Sequence, residues 1–275
     1  MSDIVLTAGV RANLLQLQST AATITNTQSK LATGKRVNSA LDNPINFFTA
    51  QGLSNRASDL TNLLDSMSTA ISTIQAANNG LTSITKLVQS AQALASQAQQ
   101  TSDATVRSGL ATQFNAIKTQ IDQLAGDSGF NGINLLDLAN NAGGLTVQLN
   151  ERGTSSVNIA AVDSTTTGLA INNATNNWVA AADITAASGE LTAALTTLRS
   201  QAQAFGSQLS TVQIRQDFTK ATINTLQTGA DALTLADSNE EGANLLALQT
   251  RQQLSTTALS LAVQSDRNVL RLFGG

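Results

Sequence analysis

A single proline, Pro44, interrupts 275 residues, and this constrains the chain more than any other feature. Proline breaks helices, so a chain almost without it is free to build very long ones. The apolar residues use that freedom. Val10, Leu14, Leu17, Ala21, Ile24, Gln28 and Leu31 recur at alternating spacings of four and three, a helical stripe at coiled-coil period. Gly34 is placed to cap it. Residues 34–46 then read as a break, with Asp42 and Asn43 before Pro44 suited to a turn and a new helix start. Beyond it Leu60, Leu64, Met67, Ile71, Ile74, Asn78, Leu81, Thr85 and Val88 keep the same spacing, widened by Leu63, Ala70, Ala77, Ile84 and Ala91. A helix over about 45–100 spans about 80 Å at 1.5 Å per residue. Such a helix needs equally long partners.

Asp103 is placed to cap a third helix, striped by Val106, Leu110, Phe114, Ile117, Ile121 and Leu124 and ended by Gly126, Gly129 and Gly132. From about 130 to 185 the chain turns rich in Gly, Asn, Ser and Thr. Within it Leu145–Leu149 and Val157–Ile159 alternate apolar and polar around Asn150-Glu-Arg-Gly153, which predicts a β-hairpin. Ser164–Gly168 and Asn172–Trp178 read as loop or small surface elements. The helical stripe returns from Leu191 through Leu195, Leu198, Phe205, Leu209 and Val212 to Leu233, with Gln216 and Thr219 inside it. Asn78, Gln216 and Thr219 either set register from within these stripes or face outward. Asp237-Ser-Asn breaks or caps the pattern, and a last stripe carries Leu245, Leu248, Gln252, Ser255, Leu259, Ala262, Asp266, Val269 and Phe273. The expected fold is mostly α: a long antiparallel helix bundle, helical at both ends, with a small β-hairpin region at its centre.

Composition removes whole classes of chemistry. Cysteine and histidine are absent, so no disulfide, thiolate nucleophile, zinc-thiolate site or imidazole base can exist. Aromatic residues make up 3% of the chain, too few for the walls of a typical small-molecule pocket. Fifteen Lys and Arg against 18 Asp and Glu argue against a nucleic-acid binder and against a polybasic membrane anchor. No apolar run is long enough to span a bilayer, and the N-terminus lacks a cleavable secretory signal pattern. Asp237, Glu240 and Glu241 read as the first turn of a helix, where carboxylates complement the dipole, rather than as an acid-base pair. No glycine cluster opens a helix after a strand as a phosphate loop does. Lys35 and Arg36 read as an interaction patch or a solvated turn. Ser164 to Thr167 offer hydroxyls for a glycan or a plain polar loop, and Asn173-Ala-Thr175 fits an N-glycosylation pattern that is common by chance. The expectation is a protein without enzyme activity, metal or cofactor.

The terminal stripes are narrow and interrupted by Gln, Ser and Thr. Ordering a helix of such length costs conformational entropy that one thin apolar face does not offset. These ends are expected to gain their order on contact with neighbours.

Three separated stretches, in order, resemble the flagellin family. Leu31-Ala-Thr-Gly-Lys-Arg-Val-Asn-Ser-Ala-Leu-Asp-Asn-Pro44 is similar to its N-terminal signature, and Phe130-Asn-Gly-Ile-Asn-Leu-Leu136 to the element before its hairpin. Leu235-Ala-Asp-Ser-Asn-Glu-Glu241, Leu248–Leu254 and Asn268–Phe273 resemble its C-terminal signature. The resemblance covers about 1–140 and 185–273, and the middle is short for the family. It implies a structural subunit that polymerises into the bacterial flagellar filament used for motility, secreted and extracellular, leaving the cell through the flagellar type III export apparatus without a cleaved signal. Implied partners are copies of the chain itself, that apparatus, an export chaperone, the filament cap and hook-junction proteins, with no nucleic acid and no membrane. The implied segments are an inner-core helix 1–34, a spoke 35–46, outer-core helices 47–130, a hairpin with a short surface-exposed variable region 131–186, outer-core helix 187–234, and a second inner-core helix 235–275.

On this resemblance the polymerisation interface is expected at Val10, Leu14, Leu17, Ile24, Leu31, Leu245, Leu248, Leu259, Val269 and Phe273. The spoke turn is assigned to Gly34, Lys35, Arg36, Asn38, Asp42 and Pro44. Outer-core packing falls to Leu64, Met67, Ile71, Ile74, Leu81, Phe205, Leu209 and Val212. Many flagellins carry a charged cluster that an animal Toll-like receptor recognises. Ser90, Gln92, Ala93 and Gln120 stand at those positions here, which implies weak or no activation of that receptor. The alternatives are a hook-filament junction protein, with similar terminal helices, and a generic coiled-coil adaptor.

Overall fold

Five α-helices, one short 3-10 helix and one hairpin lie among residues 8–273, which this computed structural model describes without the side chains of Asp266 and of 269–273. The helices are α1 (Ala8–Thr33), α2 (Pro44–Gln99), α3 (Ala104–Asp127), α4 (Ala181–Thr234) and α5 (Ser238–Phe273). Strands β1 (Leu145–Gln148) and β2 (Ser156–Ile159) pair antiparallel between α3 and α4. The fold is mostly α, as the periodicity predicts. Residues group into two compact units: 1–55 with 225–275, and 56–224. α2 and α4 contribute residues to both.

The larger unit is an antiparallel helical bundle. Hydrogen bonds from Gln99 Nε2 to Ser188 Oγ (3.3 Å), Gln92 Nε2 to Thr192 Oγ1 (3.4 Å) and Gln216 Nε2 to Ser68 Oγ (2.9 Å) run in opposite chain directions along α2 and α4. α3 folds back on α2. Its first turn is capped by Asp103 Oδ1, which accepts from the Thr105 and Val106 amides at 2.8 and 3.3 Å. At its far end, a Cβ added at Gly80 of α2 would lie 2.2 Å from Ser128 Oγ, so glycine permits the close approach there. Arg107 stitches the bundle corner by donating to the carbonyls of Ala98 (3.2 Å), Thr101 (2.7 Å) and Val179 (2.9 Å).

The core of this unit is largely apolar. Met67, Ile74, Phe114, Ile121, Trp178 and Val212 are all fully buried. Of the residues expected to pack here, Met67, Ile74, Leu81, Phe205 and Val212 are buried, and Leu64, Ile71 and Leu209 are half-buried. Thr219 is buried too, whereas Asn78 and Gln216 stay half-exposed and Gln216 spends its amide on Ser68. In the hairpin, Leu145 opposes Ile159 and Val147 opposes Val157, so the alternation sets the register. Its turn closes through the Gly153 amide to the Asn150 carbonyl at 3.2 Å, with Gly153 at φ +67°.

The segment after the hairpin corrects the sequence reading. Ser164 and Trp178 are fully buried and Thr166 nearly so, not a surface loop. Asp122 of α3 accepts from the Thr166 amide (2.7 Å) and hydroxyl (3.0 Å), Asn115 accepts from the Ala174 amide (3.0 Å), and Ser164 donates to Gln201 (3.0 Å). Trp178 packs on Phe114 with ring centroids 4.9 Å apart. The three residues Asn176–Trp178 hold positive φ, a strained turn that persists because burial of the indole overdetermines it. The Ser164 and Thr166 hydroxyls are therefore closed to a glycan. α4 also begins at Ala181, ahead of the expected return at 187, and Ile184 and Ala187 of this early stretch are buried on the face that Leu191 continues.

Candidate polymerisation interface

The connecting turn after α1 is assembled from backbone groups. Gly34 at φ +67° lets the chain leave the helix, and its carbonyl accepts from the Ala236 amide at 3.0 Å. Lys35 forms an antiparallel bridge with Leu235, and the Arg36 and Val37 amides share the Thr234 carbonyl at 2.8 and 3.3 Å. Arg36 also donates through Nη2 to the Ala232 carbonyl (2.8 Å), placing a cation on the last turn of α4, where the dipole favours it. Its role here is a helix cap, while Lys35 is solvated. Asp42 Oδ2 gathers the Asn38 amide (2.9 Å), the Ser39 amide (2.9 Å) and the Ser39 hydroxyl (3.2 Å). The Ser39 and then the Asn38 backbone N–H hold its carboxyl below the usual aspartate range, because they bind the charged form. The Asn38 side chain ties back to Thr33 at 3.0 Å. Asn43 Oδ1 accepts from the Asn46 amide at 3.0 Å, so α2 starts with Asn as cap and Pro44 at its first position.

α1 and α5 pack against each other, with the end of α1 beside the start of α5 through Lys30 Nζ to Glu241 Oε1 at 3.0 Å. Asp237 caps α5 by accepting from the Asn239 amide (2.8 Å) and the Glu240 amide (3.3 Å). The seam differs from the stripe read in the sequence. On α1 it runs through Val10, Leu17, Thr20, Ile24, Thr27 and Leu31, with Thr20 and Thr27 buried. Leu14 is 41% exposed and Gln28 is exposed, while Ala21 is half-buried. The two rows interleave on one helix, and the partner's position picks between them. On α5 Leu245, Leu248, Gln252, Ser255 and Leu259 are half-buried, and none of its described side chains is fully buried. Val269 and Phe273 fall outside the described side chains.

Facing away from this seam lies a second apolar row. Leu246 and Leu254 are each 66% exposed and Leu261 61%, with Leu15 of α1 also 66% exposed. At 100° per residue the three α5 leucines sit about opposite the half-buried row. Leu41, Ile45 and Phe48, after the turn, are exposed as well. Sequence reading passed over these residues because it followed one stripe per helix; the seven- and eight-residue spacing of Leu246, Leu254 and Leu261 was the available signal. Among the described residues, no three acidic, His or Cys side chains gather as a metal site, and no helix is long and apolar enough to cross a membrane.

Residues 7–141 match the family model for the bacterial flagellin N-terminal helical region. The flagellin FljM of Caulobacter vibrioides is 31% identical over 278 residues, spanning 99% of each chain. The chain belongs to the flagellin family. A second Caulobacter vibrioides flagellin, FljK, is 30% identical over 99% of each chain. A crystal structure of Bacillus cereus flagellin is similar over 57% of this chain and 88% of that one, at 25% identity and a TM-score of 0.48. This flagellin is a structural subunit of the bacterial flagellar filament, the extracellular polymer in which flagellins associate with their own copies. Of the four residues that the sequence reading set against receptor recognition, Ser90, Ala93 and Gln120 are exposed, and Gln92 is half-buried against Thr192.

Proposed function

We propose that this chain polymerises through the α1–α5 pair, with the outward row Leu246, Leu254 and Leu261 covered by neighbouring copies. The observation that supports this most is the imbalance of α5: its inward face is only half-buried while three leucines face solvent. Exposed apolar rows of this kind mark association surfaces. Val10, Leu14, Leu17, Ile24, Leu31, Leu245, Leu248, Leu259, Val269 and Phe273 belong to this inner-core assembly, the pair 1–34 and 235–275. Gly34, Lys35, Arg36, Asn38, Asp42 and Pro44 form the spoke that joins it to the outer-core segments. The terminal helices gain order as they are covered by copies. The chain acts as structure and not as an enzyme. It is secreted by the flagellar type III export apparatus with a chaperone, and is inserted beneath the filament cap onto hook-junction proteins. Ser90, Gln92, Ala93 and Gln120 leave it a poor ligand for the animal Toll-like receptor, which reporter cells exposed to purified monomer would reveal as weak or absent signalling.

The triple variant Leu246→Ser, Leu254→Ser, Leu261→Ser tests the interface. Seeded elongation, followed by sedimentation and negative-stain electron microscopy, is expected to stop or to require far higher subunit concentration. Normal filaments from the variant would sink the α5 reading. Wild-type chains that bind seeds yet never elongate would instead favour a hook-filament junction protein.

A further inference from the structure

Two Asn-Gly pairs stand in the chain, Asn79-Gly80-Leu81 and Asn131-Gly132-Ile133, so alike in sequence that the fold must separate their chemistry. An asparagine before glycine is exposed to attack on its side-chain amide by the next backbone nitrogen, because glycine puts no Cβ in the way and leaves the chain free to turn. The first pair sits inside α2. There the Gly80 N–H belongs to the helical hydrogen-bond ladder, and Gly80 itself is buried against Ser128 and Leu136. Reaction at that site requires the interior of a 56-residue helix to open. The second pair forms the tip of a two-residue turn. The Phe130 and Ile133 amides donate to each other's carbonyls at 2.9 and 3.0 Å, a bridge in which the Gly132 nitrogen takes no part. Asn131 at φ +51° and Gly132 at φ +79° are the left-handed pair of a tight hairpin loop. Both residues are exposed, and nothing lies within 4 Å of a Cβ built on Gly132. This turn opens when its two bridging hydrogen bonds part.

We infer that Asn131 is a site of spontaneous deamidation, with water as the only co-reactant, and that the fold spares Asn79. The Gly132 nitrogen gives its proton to solvent base and attacks Asn131 Cγ. The new C–N bond closes a five-membered succinimide, and the side-chain nitrogen takes up a proton and leaves as ammonia. Water then opens the ring. Its attack at Cγ leaves aspartate, and its attack at the main-chain carbonyl leaves isoaspartate, with the chain routed through Cβ and Cγ. One water enters and one ammonia departs, with no change of oxidation state. The turn leads straight into a junction of the fold. Asn134 Nδ2 caps the end of α3 by donating to the Ala125 and Gly126 carbonyls at 2.7 and 2.8 Å, and Leu135 and Leu136 are fully buried. An extra backbone carbon at 131 shifts the register of the Phe130–Ile133 bridge that precedes them. The new carboxylate also stands just past Asp127 at the end of α3, where the helix dipole disfavours an anion. In an extracellular filament the change accumulates with the age of the subunit.

Both sites can be read in one sample of the purified full chain, incubated at mildly alkaline pH and digested with trypsin. Cleavage after Arg56, Lys86, Lys118 and Arg152 puts them in separate peptides, and fragmentation in the mass spectrometer locates the residue. Asn131 is expected to gain the mass of an amide-to-acid exchange at least tenfold faster than Asn79. A protein-isoaspartate methyltransferase with labelled methyl donor is expected to mark the first peptide and not the second. In denaturing urea the two sites are expected to convert at comparable rates, which assigns the difference to the fold. Equal rates in the folded chain would overturn the inference. Conversion of Asn131 only in the denatured chain would overturn it too, since the turn would then hold the asparagine shut. Asn131→Gln is expected to silence the first site and leave Asn79 as it was, because the longer side chain closes its ring far more slowly. Aged wild type is expected to melt below fresh wild type, and aged Asn131→Gln to melt with its fresh counterpart. Identical melts of aged and fresh wild type would overturn the loosening at the end of α3.

Discussion

The two units of this flagellin use the same long helices and bury them to very different degrees. In residues 56–224, α2, α3, α4, the hairpin and the segment 160–178 enclose Met67, Ile74, Phe114, Ile121 and Trp178 completely. In residues 1–55 with 225–275, α1 and α5 share a seam in which threonines take core positions and none of the described α5 side chains is fully buried. The difference is one of layers. A helix packed on several sides hides a wide face, whereas a helix with one partner hides a stripe and leaves the rest wet. The larger unit closes a core of its own, whereas the smaller leaves apolar rows of α1 and α5 exposed.

The largest effect that could break this contrast lies at the aromatic pair. Phe114→Ala removes the ring that packs on Trp178 and is expected to cost about 3–5 kcal/mol. Urea unfolding followed by the fluorescence of the single tryptophan measures it. A loss under about 1 kcal/mol would mean that the core tolerates a cavity and is less rigid than its burial implies. Next comes the loop staple. Asp122→Ala strips the acceptor from the buried Thr166 amide and is expected to cost about 1–3 kcal/mol, seen as an earlier unfolding midpoint.

A pair of glycine substitutions sharpens the comparison. A Cβ at Gly80 would press on Ser128 and Leu136, so Gly80→Ala is expected to destabilise the larger unit by about 1–3 kcal/mol. Gly52 of α2, in the smaller unit, has nothing within 4 Å, so Gly52→Ala is expected to stabilise its helix by about 0.5–1 kcal/mol. Thermal melts of both variants give the signs, and like signs would contradict the difference in packing. The smallest effect is electrostatic. Asp42 has a lowered pKa in the fold, so the stability of the spoke turn is present above the ordinary aspartate range and is lost as pH falls through the lowered value. The Asn38 and Ser39 amide shifts, followed by NMR during acidification, are expected to titrate below that range and to stop titrating in Asp42→Asn. An ordinary midpoint would show that the turn does not hold the carboxylate.

Much of the fold was legible because its signals are local. Asp103 precedes its helix as a cap should, Pro44 opens α2, and the alternation in 145–159 places the hairpin in register. What could not be read depends on distant partners. Thr166 and Trp178 sit in a polar, loop-like sequence and are buried by Asp122 and Phe114 of α3. In α1, the rows through Leu14 and through Thr20 and Thr27 both satisfy a helical repeat, and only the position of α5 tells them apart.

By itself, then, the sequence determined the order of the helices and most of their ends, the hairpin, the family, and the absence of thiol and imidazole chemistry. Each follows from residue type and spacing along a few turns of chain. The tertiary structure alone decided which of two rows on α1 meets α5, which leucines of α5 are left outward, and that the segment after the hairpin is core. Burial is a property of what surrounds a side chain, and those surroundings come from elements far away along the chain.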